Sequence, residues 1–318
     1  MKAVILDAAS LGQGVSFDPI RSRVKCLDIF EATSKSEAIE RVLGRDCVIC
    51  NKTQIDYELL TNCPQLKLVC VTATGVNNVD MEAADKYGVK VFNVKDYAGS
   101  LVSQHVMGLM LMLAHNFPYY TKASVDGTWS RGQEFCLFGD DILELEGKTL
   151  GILGFGAIGR KLAEKAVAFG MDVILGELPG RSYAAKTTFE RVPLARLLPL
   201  VDVLSIHCPL NPATENLIDI EELKAMKKSA FLINTARGGI VNELALCSAL
   251  QKGLIAGAAL DVLSQEPPAL SNPLLAENIP NLIITPHNSW AGKKTRQLII
   301  DKTAANIAFF MDQYKNWR

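Results

Sequence analysis

The chain has 318 residues, 49% of them hydrophobic and 21% charged, a composition typical of a globular protein long enough for two domains. A formal net charge of −1 gives no electrostatic reason to expect nucleic acid or an anionic membrane as partner. The most apolar stretch, 106–114, is about half the ~20 residues that a membrane-spanning helix needs. We therefore predict a soluble protein without nucleic-acid or membrane partners.

Four short apolar runs in the first hundred residues alternate with helical or turn-rich segments. They lie at 2–7, 46–50, 66–71 and 89–92. Ser36 and Asp80 are candidate N-caps for two of the helices between them. Strands that alternate with helices favour a parallel α/β sheet, so this region is predicted to form a domain of its own.

The chain contains eight cysteines, and one pair, Cys47 and Cys50, has CxxC spacing. The apolar residues around this pair are typical of a strand, on which residues three apart point to opposite faces. Neither a second CxxC nor a nearby histidine completes a metal site. We predict buried, reduced thiols in a cytoplasmic protein, and no metal.

The loop 72–79 follows the third of these strands, at the edge where open α/β sheets bind ligands. Its small residues leave backbone N–H groups accessible, which suits an anion such as a carboxylate. An ordinary strand-to-helix turn is the alternative.

A helix that starts at Gly99 is apolar on nearly every side, which predicts burial all round, between two domains or against a second subunit. His105 and His115 on this helix are interpreted as structural.

The segment 149–177 has the pattern of a dinucleotide site. A buried strand at 150–153 leads into the glycine-rich turn 154–159, with sequence GFGAIG. Apolar residues at helical spacing predict a helix that starts at Gly159 and stops at Gly170. Glu177 follows the next strand, 23 residues after Gly154, where an acidic side chain can accept hydrogen bonds from ribose hydroxyls.

Glycine is needed at each of three positions of this turn for a physical reason. Gly154 allows a tight turn, Gly156 lets the backbone approach a pyrophosphate, and Gly159 lets the helix pack closely on the strand. The helix N-terminus then offers N–H groups and a partial positive charge to the phosphates. A GxGxxG motif alone is weak evidence for a dinucleotide site. Here the strand before it, the helix after it and the acidic residue Glu177 strengthen the prediction.

Strands and helices continue to alternate after this segment, and several strands end in chemically useful residues. The further strands are predicted at 202–206, 230–234, 256–260 and 282–285. His207, Asp261 and His287 follow three of them, and Glu266 lies five residues beyond Asp261. Histidine is the side chain that most often acts as a general acid or base. The pattern alone leaves His207 and His287 as alternatives for the acid.

Five motifs in order make the chain resemble the D-isomer-specific 2-hydroxyacid dehydrogenases over nearly all of its length. They are GILGFGAIGR, HCPLNPATENLID, NTARGGIVNELAL, GAALDVLSQEP and ITPHNSWA. Within that family, the segment 129–138 and Trp290 look most like the glycerate dehydrogenase (hydroxypyruvate reductase) members.

The resemblance implies a fold and its domains. We expect a doubly wound Rossmann domain at 99–290, inserted into a smaller flavodoxin-like α/β substrate domain made of 1–98 and 291–318. The chain ends at Arg318 without the added regulatory domain of some phosphoglycerate dehydrogenases, so feedback control by serine is not expected. A homodimer is expected.

The resemblance also implies roles for individual residues. His287 would give a proton to the carbonyl oxygen as NADH delivers hydride, Glu266 would favour its imidazolium form, and Arg237 would bind the substrate carboxylate. Backbone N–H groups of Thr74, Gly75 and Val76 would hold that carboxylate from the other domain, and Trp290 would also contact substrate. Asp261 would contact the nicotinamide end, and His207 would lie near the cofactor. The cofactor-binding set implied by the family comprises Gly154, Gly156, Ala157, Ile158, Gly159, Glu177, His207, Pro209, Thr214, Thr235, Ala236, Arg237, Asp261 and His287.

The cofactor is predicted to be NAD. Members of the family that use NAD usually carry Asp at the position of Glu177, and Glu repels a 2′-phosphate equally. Arg181, four residues on, is the argument for NADP, because an arginine there can accommodate that phosphate.

Three other functions remain open. A substrate other than hydroxypyruvate or glyoxylate is one, as in the phosphoglycerate dehydrogenases. A binding protein that senses NAD(H), like the family's co-repressors, is the second, although those usually carry additional tails. Formate oxidation is the third, but formate dehydrogenases of this superfamily have Gln where this chain has Glu266, which indicates proton transfer.

Overall fold

The computed structural model describes residues 1–139, 142–183, 187–276 and 279–314. The chain divides into two compact units: unit 1 comprises Met1–Tyr97 and Trp290–Arg318, and unit 2 comprises Ala98–Ser289. Each junction lies one residue from the predicted domain boundary. No helix among the described residues is long and apolar enough to span a membrane.

Strands and helices alternate along both units. The strands are β1 (Lys2–Ile5), β2 (Cys26–Ile29), β3 (Cys47–Cys50), β4 (Leu68–Val71), β5 (Lys90–Asn93), β6 (Thr149–Leu153), β7 (Asp172–Gly176), β8 (Glu190–Val192), β9 (Val203–Ile206), β10 (Phe231–Asn234), β11 (Gly257–Leu260) and β12 (Leu282–Ile284). The α-helices are α1 (Asp18–Arg21), α2 (Lys35–Val42), α3 (Tyr57–Asn62), α4 (Met81–Lys86), α5 (Gly99–Ala114), α6 (Phe117–Val125), α7 (Ala157–Ala168), α8 (Leu194–Leu197), α9 (Ile220–Ala225), α10 (Glu243–Gln251) and α11 (Lys293–Gln313).

Unit 1 is a five-stranded parallel sheet in the order β2-β1-β3-β4-β5, which is the flavodoxin-like order. Helices cover both of its faces. Cys50 packs with residues of α2 and α3 on one face, whereas Cys47 packs with residues of α11 on the other. The prediction that these two buried thiols point to opposite faces is therefore correct. Burial raises the pKa of the Cys50 thiol, which keeps it neutral and unreactive.

Unit 2 is a seven-stranded parallel sheet in the order β12-β11-β10-β9-β6-β7-β8. Chain order reverses between β6, which leads to β7, and its other neighbour β9. Open α/β sheets bind ligands outside the carboxyl ends of the strands at such a point. The predicted fold class, a doubly wound sheet inserted into a smaller α/β domain, is confirmed.

Two strands, β2 and β8, escaped the sequence analysis. Both are edge strands, and neither is an apolar run, because β2 carries Asp28 and β8 carries Glu190 and Arg191. An edge strand needs no fully apolar pattern, since fewer of its side chains are covered.

Two helix boundaries differ from those predicted. The N-cap of α2 is Ser34 rather than Ser36, because Ser34 lies three residues before Glu37 and the two form a capping box. Asp80 caps α4 as predicted and accepts from the Ala83 N–H at 2.9 Å. Helix α7 begins at Ala157, two residues before the predicted start at Gly159.

Within this chain α5 is buried on most sides but not all round, so its predicted burial against a second subunit stays a prediction. Its apolar side chains are largely buried, including Val106 and Met110, but one stripe is not. Gln104 and Gly108 on this stripe are exposed, and Leu111 is half-buried. The helix therefore has one face that unit 2 leaves uncovered.

Candidate active site

The glycine-rich turn after β6 has close contacts that exclude side chains. Gly154 has φ +102°, and a Cβ there would lie 2.5 Å from the carbonyl carbon of His207. A Cβ on Gly159 would lie 2.3 Å from the Gly154 oxygen, so this glycine permits the helix to pack on the turn. Around Gly156 nothing lies within 4 Å of such a Cβ. The turn is closed where it meets the protein and open where a ligand would approach.

The start of α7 supplies donors to this open side. Gly156 is the N-cap, so Ala157, Ile158 and Gly159 form the first turn. N–H groups in the first turn of a helix have no acceptor within the helix. They and the helix dipole suit a phosphate group.

Two buried polar atoms near this turn have no hydrogen-bond partner within the described part of the chain. They are Nδ1 of His207, after β9, and Oγ1 of Thr235, after β10. Buried polar groups are normally paired, so unpaired ones beside an open turn indicate a place that a ligand completes. Ala236 next to Thr235 is half-buried and donates its N–H to Oδ1 of Asn234 at 3.0 Å.

The loop after β9 is held by its own side chains. Thr214 is buried, and its hydroxyl donates to the Pro209 oxygen at 2.7 Å while it accepts from the Asn211 N–H at 2.9 Å. This geometry gives Thr214 the task of shaping the loop, whereas Pro209 is exposed. Contacts of either residue with a cofactor remain a prediction.

A cavity of about 410 Å³ opens beside Gly154 and Phe155 and is rich in arginine. Arg160, Arg181 and Arg191 line it, together with Tyr183. Arg191 stacks on the Tyr183 ring at 3.9 Å and donates to the Gly176 oxygen at 3.3 Å. Of these arginines only Arg181 was predicted to lie near the cofactor, and Arg191 belongs to β8, which has no apolar pattern.

Glu177 is exposed just after β7, and its N–H donates to the Val192 oxygen at 2.9 Å. The position at the end of the strand next to β6 agrees with a ribose-binding acid.

His207 and His287, the two candidate acids, have opposite surroundings. Nε2 of His207 bonds to the hydroxyl of buried Ser205 at 2.8 Å, and burial lowers the pKa of His207 to about 3. This imidazole is therefore neutral at neutral pH and cannot donate a proton as an acid there. Its place directly beside the Gly154 turn agrees with a role near the cofactor.

His287 instead forms an ion pair with Glu266. Its Nδ1 lies 2.6 Å from Oε2 of Glu266, and about a third of each side chain is exposed. The other carboxylate oxygen, Oε1, accepts from the Leu263 N–H at 3.0 Å. An ionised carboxylate accepts only, so Nδ1 donates and Nε2 is directed to the side away from Glu266. This arrangement fixes the orientation of the imidazole ring.

Arg237 lies in an extended conformation after β10 and is exposed. Buried Asn234 holds the turn, because its Nδ2 donates to the Arg237 oxygen at 2.8 Å. The next residue, Gly238, packs against the backbone of Leu263, and a Cβ there would lie 1.9 Å from the Leu263 carbonyl carbon. Only glycine permits this approach, which brings the Arg237 turn beside the segment that leads to Glu266.

Asp261 is fully buried and accepts three hydrogen bonds. They come from the Thr285 hydroxyl at 2.6 Å and from the N–H groups of Asn288 and Ser289 at 3.0 Å each. All three donors flank His287. No sequence signal gave a specific role to Thr285, Asn234 or Ser205, although each lies in a predicted strand.

The predicted substrate-binding residues of unit 1 have their own surroundings. Thr74 is exposed, and its hydroxyl donates to the Val94 oxygen at 3.1 Å. Among the described residues, the N–H groups of Thr74, Gly75 and Val76 have no acceptor, which leaves three donors for an anion. Trp290 packs against the apolar cluster around Ile300 of α11.

The segment 129–138 exposes its aromatic side chains. Phe135 and Phe138 are 89% and 86% exposed, and Trp129 donates its indole N–H to the Phe135 oxygen at 3.2 Å. These aromatic side chains are open to contact from outside the chain. A role of this segment in substrate choice stays a prediction.

Comparison with known proteins gives a consistent family. Residues 107–289 match the model of the D-isomer specific 2-hydroxyacid dehydrogenase NAD-binding domain. A putative 2-hydroxyacid dehydrogenase of Haemophilus influenzae is 39% identical over 98% of this chain and 99% of its own length. Glycerate dehydrogenase of Methylorubrum extorquens is 40% identical (89% of this chain, 88% of the relative), and hydroxypyruvate reductase of Blautia hydrogenotrophica is 34% identical (98% and 97%). The solved TT0316 protein of Thermus thermophilus has a TM-score of 0.85 at 32% identity, covering 98% of this chain and 97% of that one.

The chain belongs to the D-isomer-specific 2-hydroxyacid dehydrogenase family. It is therefore an oxidoreductase that uses NAD. The open turn at Gly156, the first turn of α7 and the unpaired atoms of His207 and Thr235 fit a dinucleotide. Among the described residues, no cluster of three or more His, Cys, Asp or Glu side chains could hold a metal ion.

The buried neutral state of His207 predicts a specific dependence of this dehydrogenase's stability on pH. In the unfolded chain histidine titrates near ~6.5, whereas burial lowers the folded-state pKa to about 3. Between these values the unfolded state binds more protons, so stability present above pH ~6.5 is lost as pH falls toward 3. Urea unfolding of wild type and His207→Gln should show wild type losing up to ~1 kcal/mol per pH unit relative to the variant. Parallel curves from pH 7 to pH 4.5 would contradict this assignment.

Proposed function

We propose that this dehydrogenase reduces hydroxypyruvate, and glyoxylate as a second substrate, with NADH, using His287 as the acid. The observation that carries the proposal is the contact of 2.6 Å between His287 Nδ1 and Glu266 Oε2, set against the buried neutral state of His207. The names of two relatives, glycerate dehydrogenase and hydroxypyruvate reductase, support the substrate.

The proposed chemistry assigns one proton to His287. Bound NADH supplies the hydride that goes to the carbonyl carbon. As the C=O π pair moves to oxygen, Nε2–H of His287 gives its proton to that oxygen, so the product is an alcohol and the imidazole becomes neutral. Glu266 holds the imidazole ring before transfer, because its Oε2 lies 2.6 Å from Nδ1. The reverse reaction starts from neutral His287.

Binding of the substrate carboxylate is the proposed task of Arg237 and of the loop with Thr74, Gly75 and Val76. Arg237 can donate two parallel hydrogen bonds and stays charged at every relevant pH. The three backbone N–H groups of the loop add neutral donors. Trp290 is proposed to limit the size of the substrate.

The acid–base pair predicts opposite pH profiles for the two directions. Reduction takes up a proton and oxidation releases one, so reduction should fall and oxidation should rise with increasing pH. His287→Ala should lower kcat by roughly 10²–10⁴. The measurement is kcat against pH in both directions, with His207→Gln as the matched control. A strongly reduced kcat for His207→Gln together with a nearly normal kcat for His287→Ala would show that His207, not His287, is the acid.

Cofactor preference should follow the charge at Glu177. We predict that NADH is preferred to NADPH, because a carboxylate at the ribose repels a 2′-phosphate. Since Glu177 is exposed and the arginine-lined cavity lies nearby, the preference should be moderate, about tenfold in kcat/KM, or ~1.4 kcal/mol. Glu177→Ala should weaken it, whereas Arg181→Ala should strengthen it. A tenfold preference for NADPH in the wild type would overturn the prediction.

The substrate class is tested with a panel of 2-keto acids at saturating NADH. Hydroxypyruvate and glyoxylate should give higher kcat/KM than pyruvate, and phenylpyruvate should be poor, because Trp290 restricts the space for large side chains. Trp290→Ala should reduce the difference in kcat/KM between hydroxypyruvate and phenylpyruvate. Equal turnover of phenylpyruvate and hydroxypyruvate by the wild type would show that the pocket is not selective for short substrates.

We also infer a homodimer in the cytoplasm. The exposed aromatic side chains of 129–138 and the uncovered stripe of α5 support a second copy as the partner of unit 2. All eight cysteines are free thiols, which agrees with a reducing compartment. Sedimentation equilibrium of the wild type and of the double variant Phe135→Ser, Phe138→Ser measures the association directly.

A further inference from the structure

His287 adopts a backbone conformation that its sequence does not favour. Its φ of +53° lies in the left-handed region, which a side chain with a Cβ rarely occupies. His287 is the last residue of a three-residue turn, because its N–H donates to the Thr285 oxygen at 3.0 Å. Such conformations persist only where the surroundings determine them.

The Asp261 carboxylate fixes the left-handed conformation of His287 through residues on both sides of it. Before His287, Oδ1 accepts from the Thr285 hydroxyl at 2.6 Å. After it, Oδ1 accepts from the Asn288 N–H and Oδ2 from the Ser289 N–H, both at 3.0 Å. A single rigid group thus ties together the residues on either side of the left-handed one.

A histidine of α5 completes the network. Nε2 of His105 lies 3.2 Å from the Thr285 hydroxyl oxygen and 3.8 Å from Oδ1 of Asp261. The Thr285 hydroxyl has one proton, and Asp261 receives it, so Thr285 accepts from His105 and Nε2 carries the proton. The chain of donors runs from His105 to Thr285 to Asp261.

We propose that His105, Thr285 and Asp261 are positioning residues that hold the His287 turn so that its imidazole stays against Glu266. The proposal rests on His287 being the acid of the proposed function. It gives Asp261 a task within unit 2 in addition to the contact with nicotinamide that the family resemblance implies. The full burial of Asp261 and its three donors within unit 2 favour the positioning task.

Thr285→Val tests the network without touching His287. Valine keeps the shape but removes the hydroxyl, so Asp261 loses one donor and His105 loses its acceptor. We expect kcat at saturating NADH to fall by roughly tenfold to hundredfold, the cost of a misplaced catalytic group. The dissociation constant of NADH, measured by fluorescence titration, should stay unchanged. Thr285→Ser restores the hydroxyl and should restore kcat.

The position of His287 can be observed separately from activity. The chain has only four histidines, so ¹⁵N-histidine labelling gives few ring signals, and His287→Ala assigns the one from His287. The signal of Nδ1–H bound to Glu266 should be present in the wild type and Thr285→Ser and lost in Thr285→Val. His105→Leu should resemble Thr285→Val, and His105→Gln, whose amide N–H can replace Nε2–H, should resemble the wild type.

Two outcomes would overturn the positioning role. One is a Thr285→Val enzyme with normal kcat and an unchanged His287 signal. The other is a Thr285→Val or Asp261→Asn enzyme with normal kcat at saturating NADH but weakened NADH binding, which would make Asp261 a cofactor contact. Normal turnover by His287→Ala would instead contradict the proposed function. In that case the ring signals would still show whether the network holds His287.

Discussion

Parallel register at one edge of the second sheet is the constraint on which the site depends. Leu153 pairs with Ile206, Ile206 with Asn234, Asn234 with Leu260, and Leu260 with Ile284, so five strands reach the same level. The five residues that come next along these strands are Gly154, His207, Thr235, Asp261 and Thr285. A glycine turn, two unpaired polar atoms and a carboxylate network therefore share one edge, although they are up to 131 positions apart in sequence.

Burial then separates side chains that the register brings to the same edge. His207 is held against Ser205 in surroundings that keep it neutral, whereas His287 lies one turn beyond its strand and has a carboxylate at Nδ1. The same chemical group is thereby suited to two tasks. Desolvation disfavours the imidazolium at His207, whereas the imidazole of His287 is held by a carboxylate.

Sequence patterns predict the parts of this structure that depend on local or periodic signals. The central apolar strands, the glycine turn and the Asp80 cap are of this kind, because each follows from a few neighbouring residues. The edge strands β2 and β8 lack such a signal, and Arg191 was missed with β8. The choice between His207 and His287 could not be made from the sequence, because burial and the contact with Glu266 depend on segments distant in the chain. For the same reason the network of His105, Thr285 and Asp261 was not foreseen, although its members follow strands or lie on a predicted helix.

The central claim is that His287 gives its proton to the substrate oxygen. A crystal structure of the enzyme with NADH and oxalate, an unreactive analogue with carbonyl and carboxylate oxygens, tests it most directly. We expect Nε2 of His287 within ~2.6–3.2 Å of the analogue oxygen that stands for the carbonyl, with Nδ1 still bound to Glu266 and Arg237 on the carboxylate. An analogue oxygen bonded to His207, with His287 directed elsewhere, would contradict it.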